Sequence, residues 1–398
     1  LAIVFTVLGA GFVLGTLVMT VPLFRLGLHA HDAPPLAGMQ IHWASPRFSL
    51  KGVMDGSFQK STEQLLEDVF PLRAAIVRAT NQVYYSLFAR SYMYSNKIVI
   101  GKRQYLYETS YLQRYCNTQR DQQTPEEFER WAKNIERLGD FFAQRGQTFL
   151  YVVTPSKVAY YPEYIPQWLG CNLKPPRPDY LLAAAALPRT HVPYIDLSKL
   201  VIDGKGKYPL PLFNRGGTHW NMLAVALSAR EIVAKISAQG KWQLPEVRFT
   251  YTIDNHPDGT DTDLLDTLNL WSPNRNYLAA RVRFAQAAVI KPRAPRIVMI
   301  GGSFMDQLFD ALRETNIFES LDYYNYLVMY HIHHPSQAPS SPPPSPYTAE
   351  YYRELLAADI VILEENESYL ESPHVRVLGE ALARYAGMAP PEGGETFF

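Results

Sequence analysis

The run Arg296-Ile297-Val298-Met299-Ile300 breaks into Gly301-Gly302-Ser303-Phe304, and an amphipathic stretch from Met305 to Arg313 follows at once. A β-branched apolar run, two glycines and then helical periodicity predict a buried strand, a tight turn and a helix. Such a unit lifts the Ser303 hydroxyl to the carboxyl end of a strand. It also sets that hydroxyl at a helix N-terminus, where backbone N–H groups stabilise an oxyanion. The same letters spell an ordinary turn with a serine cap. A second catalytic group is needed before the motif means chemistry.

Comparable units recur along the chain. Thr124 precedes a helical stretch that begins at Pro125, carries Glu126 and Glu127 in its first turn, and stops before Gly146. A strand over 149–153 follows, then a helix over 180–187, a strand over 192–197 and a helix over 221–236. After the Ser303 unit come a strand around 326–330, a Pro/Ser loop over 335–346 with polyproline character, a helix over 349–358 and a last strand over 360–363 ending at Glu364. Earlier in the chain, 58–89 has helical periodicity and 98–107 reads as a hairpin around Gly101-Lys102-Arg103-Gln104. Strands alternating with helices predict an α/β fold with a mainly parallel sheet flanked by helices. Ligands in such sheets gather at the carboxyl ends of the strands. Ser303, Lys157 and Glu364 all lie at such ends.

Lys and Arg total 38 and Asp and Glu total 38, so nothing points to nucleic acid. Residues 1–24 hold no charge before Arg25. At ~1.5 Å per residue that length crosses a hydrocarbon core of about 30 Å. It exceeds the apolar region of a signal peptide and lacks a clean cleavage site, so it reads as an uncleaved membrane anchor. Cys116 and Cys171 are the two cysteines. They are one disulfide in an exported domain or two thiols in the cytosol, and the anchor favours the disulfide. His331, His333 and His334 sit together without an acidic partner, so they read as a polar loop, and no metal is expected.

The second catalytic group is His219, in Gly216-Gly217-Thr218-His219-Trp220-Asn221 at the mouth of a helix. A serine hydroxyl needs a base to take its proton, and histidine suits that task near neutral pH.

Thr218-His219-Trp220-Asn221 followed in order by Gly301-Gly302-Ser303-Phe304 resembles the SGNH-hydrolase-like O-acetyltransferases of exopolysaccharide biosynthesis, the alginate O-acetyltransferase (AlgJ/AlgX-like) family. The resemblance runs over residues 46–370. It includes Gly56-Ser57-Phe58-Gln59, Ile98-Val99-Ile100-Gly101-Lys102, Pro155-x-Lys157, Tyr161-Pro162-Glu163, Asp263-Leu264 and Val361-Ile362-Leu363-Glu364. It implies that Ser303 attacks an acetyl donor, that His219 is the general base, and that a sugar hydroxyl resolves the acetyl-serine. Gly302 and Ser303 supply the oxyanion N–H groups. Lys157, Trp220, Asn221 and Tyr330 are the candidate substrate contacts. No bound cofactor is implied beyond the acetyl donor. A polysaccharide acceptor and a polytopic membrane acyltransferase partner are, with an inner-membrane anchor and a periplasmic domain.

Two positions depart from the family pattern. An aspartate is expected two residues before the histidine, where this chain has Gly217, and another before the serine, where it has Gly302. Three consequences stay open. A carboxylate from elsewhere (Asp196, Asp261, Asp263 or Glu364) orients the imidazole; or the enzyme works as a Ser–His dyad; or the protein is a catalytically impaired polysaccharide-binding component of a secretion complex. A carbohydrate acetyl esterase is the alternative within the same chemistry. The expected layout is an anchor at 1–24, a linker at 25–48, an N-terminal helical region at 49–90, an SGNH-like catalytic domain at 91–375 and a tail at 376–398.

Overall fold

The computed structural model describes residues 36–38, 46–69, 73–92, 97–118, 123–171, 176–287, 294–326, 329–333, 349–370 and 373–389. The expected anchor over 1–24 and the proline-rich loop over 335–346 lie outside them. Among the described residues no helix is long and apolar enough to cross a membrane.

The chain divides into two compact units, Leu1–Ile100 with Leu264–Asn274, and Gly101–Asp263 with Arg275–Phe398. In the first, the helical stretch foreseen over 58–89 is two helices, Ser57–Val69 and Arg73–Phe88. The sequence carries Pro71 between them, and proline cannot extend a helix ladder. A short helix, Leu50–Met54, precedes them; Ser49 caps it by accepting from Gly52 N–H at 2.9 Å. Asn81, buried on the last helix, donates to the Leu268 carbonyl at 2.8 Å, so the returning segment is bound within this unit.

The second unit is built on a six-stranded sheet. Its strands are β1 (Thr148–Thr154), β2 (Tyr194–Asp196), β3 (Arg296–Gly301), β4 (Ser320–Asn325), β5 (Met329–His333) and β6 (Ile360–Asn366). Their spatial order is β2-β1-β6-β3-β4-β5, parallel except for the antiparallel edge pair β4–β5. The central strands are buried along their whole length, as sheets covered on both faces require. Registers pair Thr154 with Asn366 and Gly301 with Asn325, so the carboxyl ends of β1, β6, β3 and β4 line one edge.

Helix α1 (Pro125–Gln144) shows why the sequence folds this way. Thr124 and Glu127 form a reciprocal capping box, and Pro125 stands at the first helical position, where its missing N–H costs nothing. Phe128, Trp131, Ile135, Leu138 and Phe142, three and four residues apart, pack with Phe149, Tyr151 and Val153 of β1. Each such side chain contributes about 1.5–3 kcal/mol by leaving water.

Three expectations need correction. The strand placed around 326–330 gives way to two, β4 ending at Asn325 and β5 beginning at Met329; Tyr326 follows the first with a left-handed φ of 51°. Asp322 and Asn325 hid β4, because a fully buried strand does not show period-two alternation. The last strand does not stop at Leu363 but runs to Asn366 with Glu364 and Glu365 inside the core. Glu365 is accommodated there by Trp131 Nε1 at 3.0 Å and Tyr151 OH at 2.8 Å. Finally, the segment from 376 is no tail. Helix Pro373–Ala386 buries Val375, Leu378, Ala381 and Leu382 in the same core, so the domain extends past residue 375. A disulfide joins Cys116 to Cys171.

Candidate active site

Strand β3 delivers Ser303 as the first residue of helix α3 (Ser303–Thr315), with Gly302 as its cap. The turn is held from below. Gly302 N–H donates to Glu364 Oε2 at 2.8 Å, and the Gly302 carbonyl accepts from Tyr323 OH at 2.6 Å and from Met305 N–H at 2.9 Å. Glycine is required at 301, because a Cβ there would lie 2.4 Å from Glu364 Oε2. The other oxygen of Glu364 accepts from the Thr154 hydroxyl. Complete burial pushes this carboxyl up to about 7.

His219 arrives from the opposite side, on the loop before helix α2 (Met222–Ala238). A bridge between Phe213 and Trp220 and a hydrogen bond from Asn221 N–H to the Leu212 carbonyl, 3.0 Å, close that loop. Lys157, at the end of β1, pins it further. Its ammonium donates to the carbonyls of Arg215 at 2.7 Å and Gly217 at 2.5 Å. Burial holds the Lys157 ammonium well below its ordinary range, a tendency that nearby Asp263 opposes. The imidazole rests near the Phe304 ring, with centroids 4.9 Å apart.

The three groups form one hydrogen-bonded line. His219 Nε2 is 2.9 Å from Ser303 Oγ, and His219 Nδ1 is 2.5 Å from Asp263 Oδ2. The second oxygen of Asp263 accepts from Thr218 N–H at 2.7 Å, so the carboxylate is aimed from two directions. A carboxylate on Nδ1 stabilises the tautomer with its proton there. That leaves Nε2 to accept from serine. Asp263 lies 44 residues beyond His219 in sequence. The glycine at the expected aspartate position has a steric cause: a Cβ on Gly217 would lie 1.9 Å from the Thr260 carbonyl oxygen. No side chain fits there.

Of the four candidate carboxylates, Asp263 alone contacts the imidazole by hydrogen bond. Asp196 caps the helix Leu197–Asp203 through Lys199 N–H and accepts from Tyr180 OH at 2.8 Å. Asp261 is buried, which pushes it up to about 7, and its carbonyl accepts from Tyr277 OH at 3.0 Å. Glu364 holds the serine turn rather than the histidine.

The expected substrate contacts are mostly structural. Trp220 is fully buried against Phe304. Asn221 is buried too; it caps α2 through Ala224 N–H and donates to the Pro211 carbonyl at 2.6 Å. Lys157 is committed to its two carbonyls. These three side chains are absorbed in packing and hydrogen bonding that a loop needs to hold a histidine. Tyr330 lies in edge strand β5, opposite Tyr324.

The expected oxyanion donors are also engaged. Gly302 N–H points at Glu364, and Ser303 N–H donates to Tyr326 OH at 3.3 Å. Sequence reading missed Thr154, Tyr323 and Tyr326, since only the parallel register brings these strand ends beside Ser303. A positive φ on an aromatic residue has no short-range signature.

A family model described as the SGNH hydrolase-like domain of acetyltransferase AlgX matches residues 98–316, more than half of the chain. Among solved structures, the O-acetyltransferase domain of Pseudomonas putida AlgJ is similar, at 18% identity over 69% of this chain and 92% of that one, TM-score 0.46. Pseudomonas aeruginosa AlgX follows at 14% identity, 75% and 69% coverage and TM-score 0.48. Bacillus cereus PatB1, solved with a sulfonyl adduct, is 12% identical over 62% of this chain and 91% of that one, TM-score 0.40. No curated protein matches.

Proposed function

Because the chain belongs to the AlgX family of SGNH hydrolase-like acetyltransferase domains, we propose that it transfers acetyl groups to hydroxyls of an exopolysaccharide through an acetyl-serine at Ser303. The observation that carries this reading is the Ser303–His219–Asp263 line. It supplies the orienting carboxylate from position 263 when position 217 cannot hold one.

In the first half-reaction Ser303 Oγ attacks the acetyl carbonyl while His219 Nε2 takes its proton. The imidazolium is stabilised by Asp263, then returns the proton to the departing group. In the second half, a sugar hydroxyl gives its proton to His219 as its oxygen attacks the acetyl-serine. Collapse returns that proton to Ser303 and releases the acetylated sugar. Lys157 acts through the backbone, holding the loop so that the imidazole stays over the serine.

The acceptor is a polysaccharide; the donor is delivered by a polytopic membrane acyltransferase; residues 1–24 anchor the chain in the inner membrane with its catalytic unit in the periplasm. The Cys116–Cys171 disulfide suits that oxidising side. The unbroken hydrogen-bonded line argues against the impaired binding component that the missing aspartates suggested.

The test uses 4-nitrophenyl acetate with and without an oligosaccharide acceptor, followed by mass spectrometry. Acetylated oligosaccharide that depends on Ser303 is expected. Acetate release with no acceptor product would make the protein an esterase, and turnover surviving in Ser303→Ala would overturn the mechanism.

A further inference from the structure

Resting on the acetyl-serine reading, we infer that Tyr326 is a catalytic residue whose phenol donates a hydrogen bond to the oxyanion formed at Ser303. The need for such a donor comes from the turn itself. An oxyanion is usually met by two converging N–H groups, and here one of the expected pair, Gly302 N–H, faces down onto Glu364 at 2.8 Å. Ser303 N–H is left on the open side, and the group it meets there is the Tyr326 hydroxyl, 3.3 Å away. The same hydroxyl is 3.4 Å from Ser303 Oγ. A carbonyl oxygen bound for attack by Ser303 therefore enters space bordered by one backbone N–H and one phenol.

The surrounding backbone is arranged to put the phenol there. Tyr326 closes β4 with φ 51°, a conformation that costs a bulky residue about 1 kcal/mol or more. Its N–H donates to the Gly301 carbonyl at 2.8 Å, tying it to the nucleophile turn. The ring lies over Gly302, where a Cβ would come within 3.2 Å of Tyr326 Cε1. Absence of a side chain at 302 thus accommodates the ring. About half of Tyr326 is exposed, so its hydroxyl can meet an incoming ester.

As the Oγ–carbon bond forms, the carbonyl π pair moves onto oxygen and the serine proton moves to His219. Tyr326 keeps its own proton throughout and turns its O–H from Ser303 Oγ to the new anion. Collapse restores the carbonyl and expels the leaving group, which takes the proton from His219.

The experiment compares the full chain with Tyr326→Phe, Tyr326→Ala and Ser303→Ala in 4-nitrophenyl acetate turnover over a pH series. Tyr326→Phe removes one hydroxyl and keeps the ring. It is expected to lower kcat on the order of 10²-fold, the usual effect of losing one oxyanion donor. KM should stay within about twofold, and the loss in kcat should be the same across the pH series. Tyr326→Ala should be no more active than Tyr326→Phe. Wild-type kcat in Tyr326→Phe, or a loss confined to KM, overturns the inference while leaving the acetyl-serine reading intact. Absence of Ser303-dependent turnover in the unaltered chain overturns both.

Discussion

Two carboxylates flank Ser303, and they do opposite work. Asp263 is 27% exposed, lies on the histidine side and shares its oxygens between Nδ1 of His219 and the Thr218 amide. Glu364 is 1% exposed, lies under the serine turn and shares its oxygens between Gly302 N–H and the Thr154 hydroxyl. Asp263 faces the ring that, in the proposed mechanism, becomes cationic. Glu364 is hydrogen-bonded only to dipoles, and burial, with a smaller push from Asp306, raises it to about 7. Placement separates the two: in the proposed mechanism the one beside the base serves proton transfer, while the one beneath the turn holds backbone geometry.

The largest effects test the line itself. Ser303→Ala and His219→Ala should each remove about 10⁴-fold or more of Ser303-dependent ester turnover, measured by kcat, since neither partner is useful without the other. Asp263→Asn should lower kcat by about 10³–10⁴-fold with the fold intact by circular dichroism, because the amide presents the wrong hydrogen-bonding face to Nδ1. If Asp263→Asn turns over like the parent, the contrast between the two carboxylates is lost and a Ser–His dyad becomes the better account.

Lys157→Met sharpens the comparison on the histidine side. Two carbonyls would lose their donor, at about 1–3 kcal/mol of stability seen in chemical denaturation. Turnover should fall with it as the loop loosens around His219. A variant with reduced stability but unaltered kcat would separate Lys157 from the site.

Glu364→Gln should leave turnover least affected and show itself in the pH dependence of stability. Folding raises this group from 4.5 to about 7, so the native state holds a proton that the unfolded chain releases. Its contribution is complete below the unfolded value and is lost as pH rises through the folded one, on the order of 3 kcal/mol across that window. Glutamine should therefore flatten the fall in thermal midpoint between about pH 4.5 and 7. Asp261 and Glu367, also raised by burial, keep the remainder of the slope. An unchanged slope would mean that Glu364 is not the buried acid that sets it.

Much of the framework was readable from local pattern. The Thr124–Glu127 capping box, the three–four spacing along α1 and the Ile297–Ser303 break each depend on neighbours within a few residues. The segments that resisted reading are those where polar side chains enter the core. Asp322 and Asn325 concealed β4, and Glu364 and Glu365 ended β6 too early on paper. For Asn325, Glu364 and Glu365 a long-range partner makes burial tolerable, and such partners leave no trace in the local letters. Trp220 and Asn221 erred in the other direction, since residues adjacent to a base look like contacts but serve to hold it.

The sequence alone determined that a serine would stand at a strand-to-helix turn and a histidine at the mouth of another helix, because glycine turns and helix caps are short-range chemistry. Which acid orients that histidine was decided only in three dimensions. Gly217 has no room for a side chain against Thr260, and the loop that crowds it carries Asp263 into place. The same holds for Tyr326, which the parallel register of β3 and β4 sets beside Ser303. A hydrogen bond across 44 residues is a property of packing, and packing is where this site was completed.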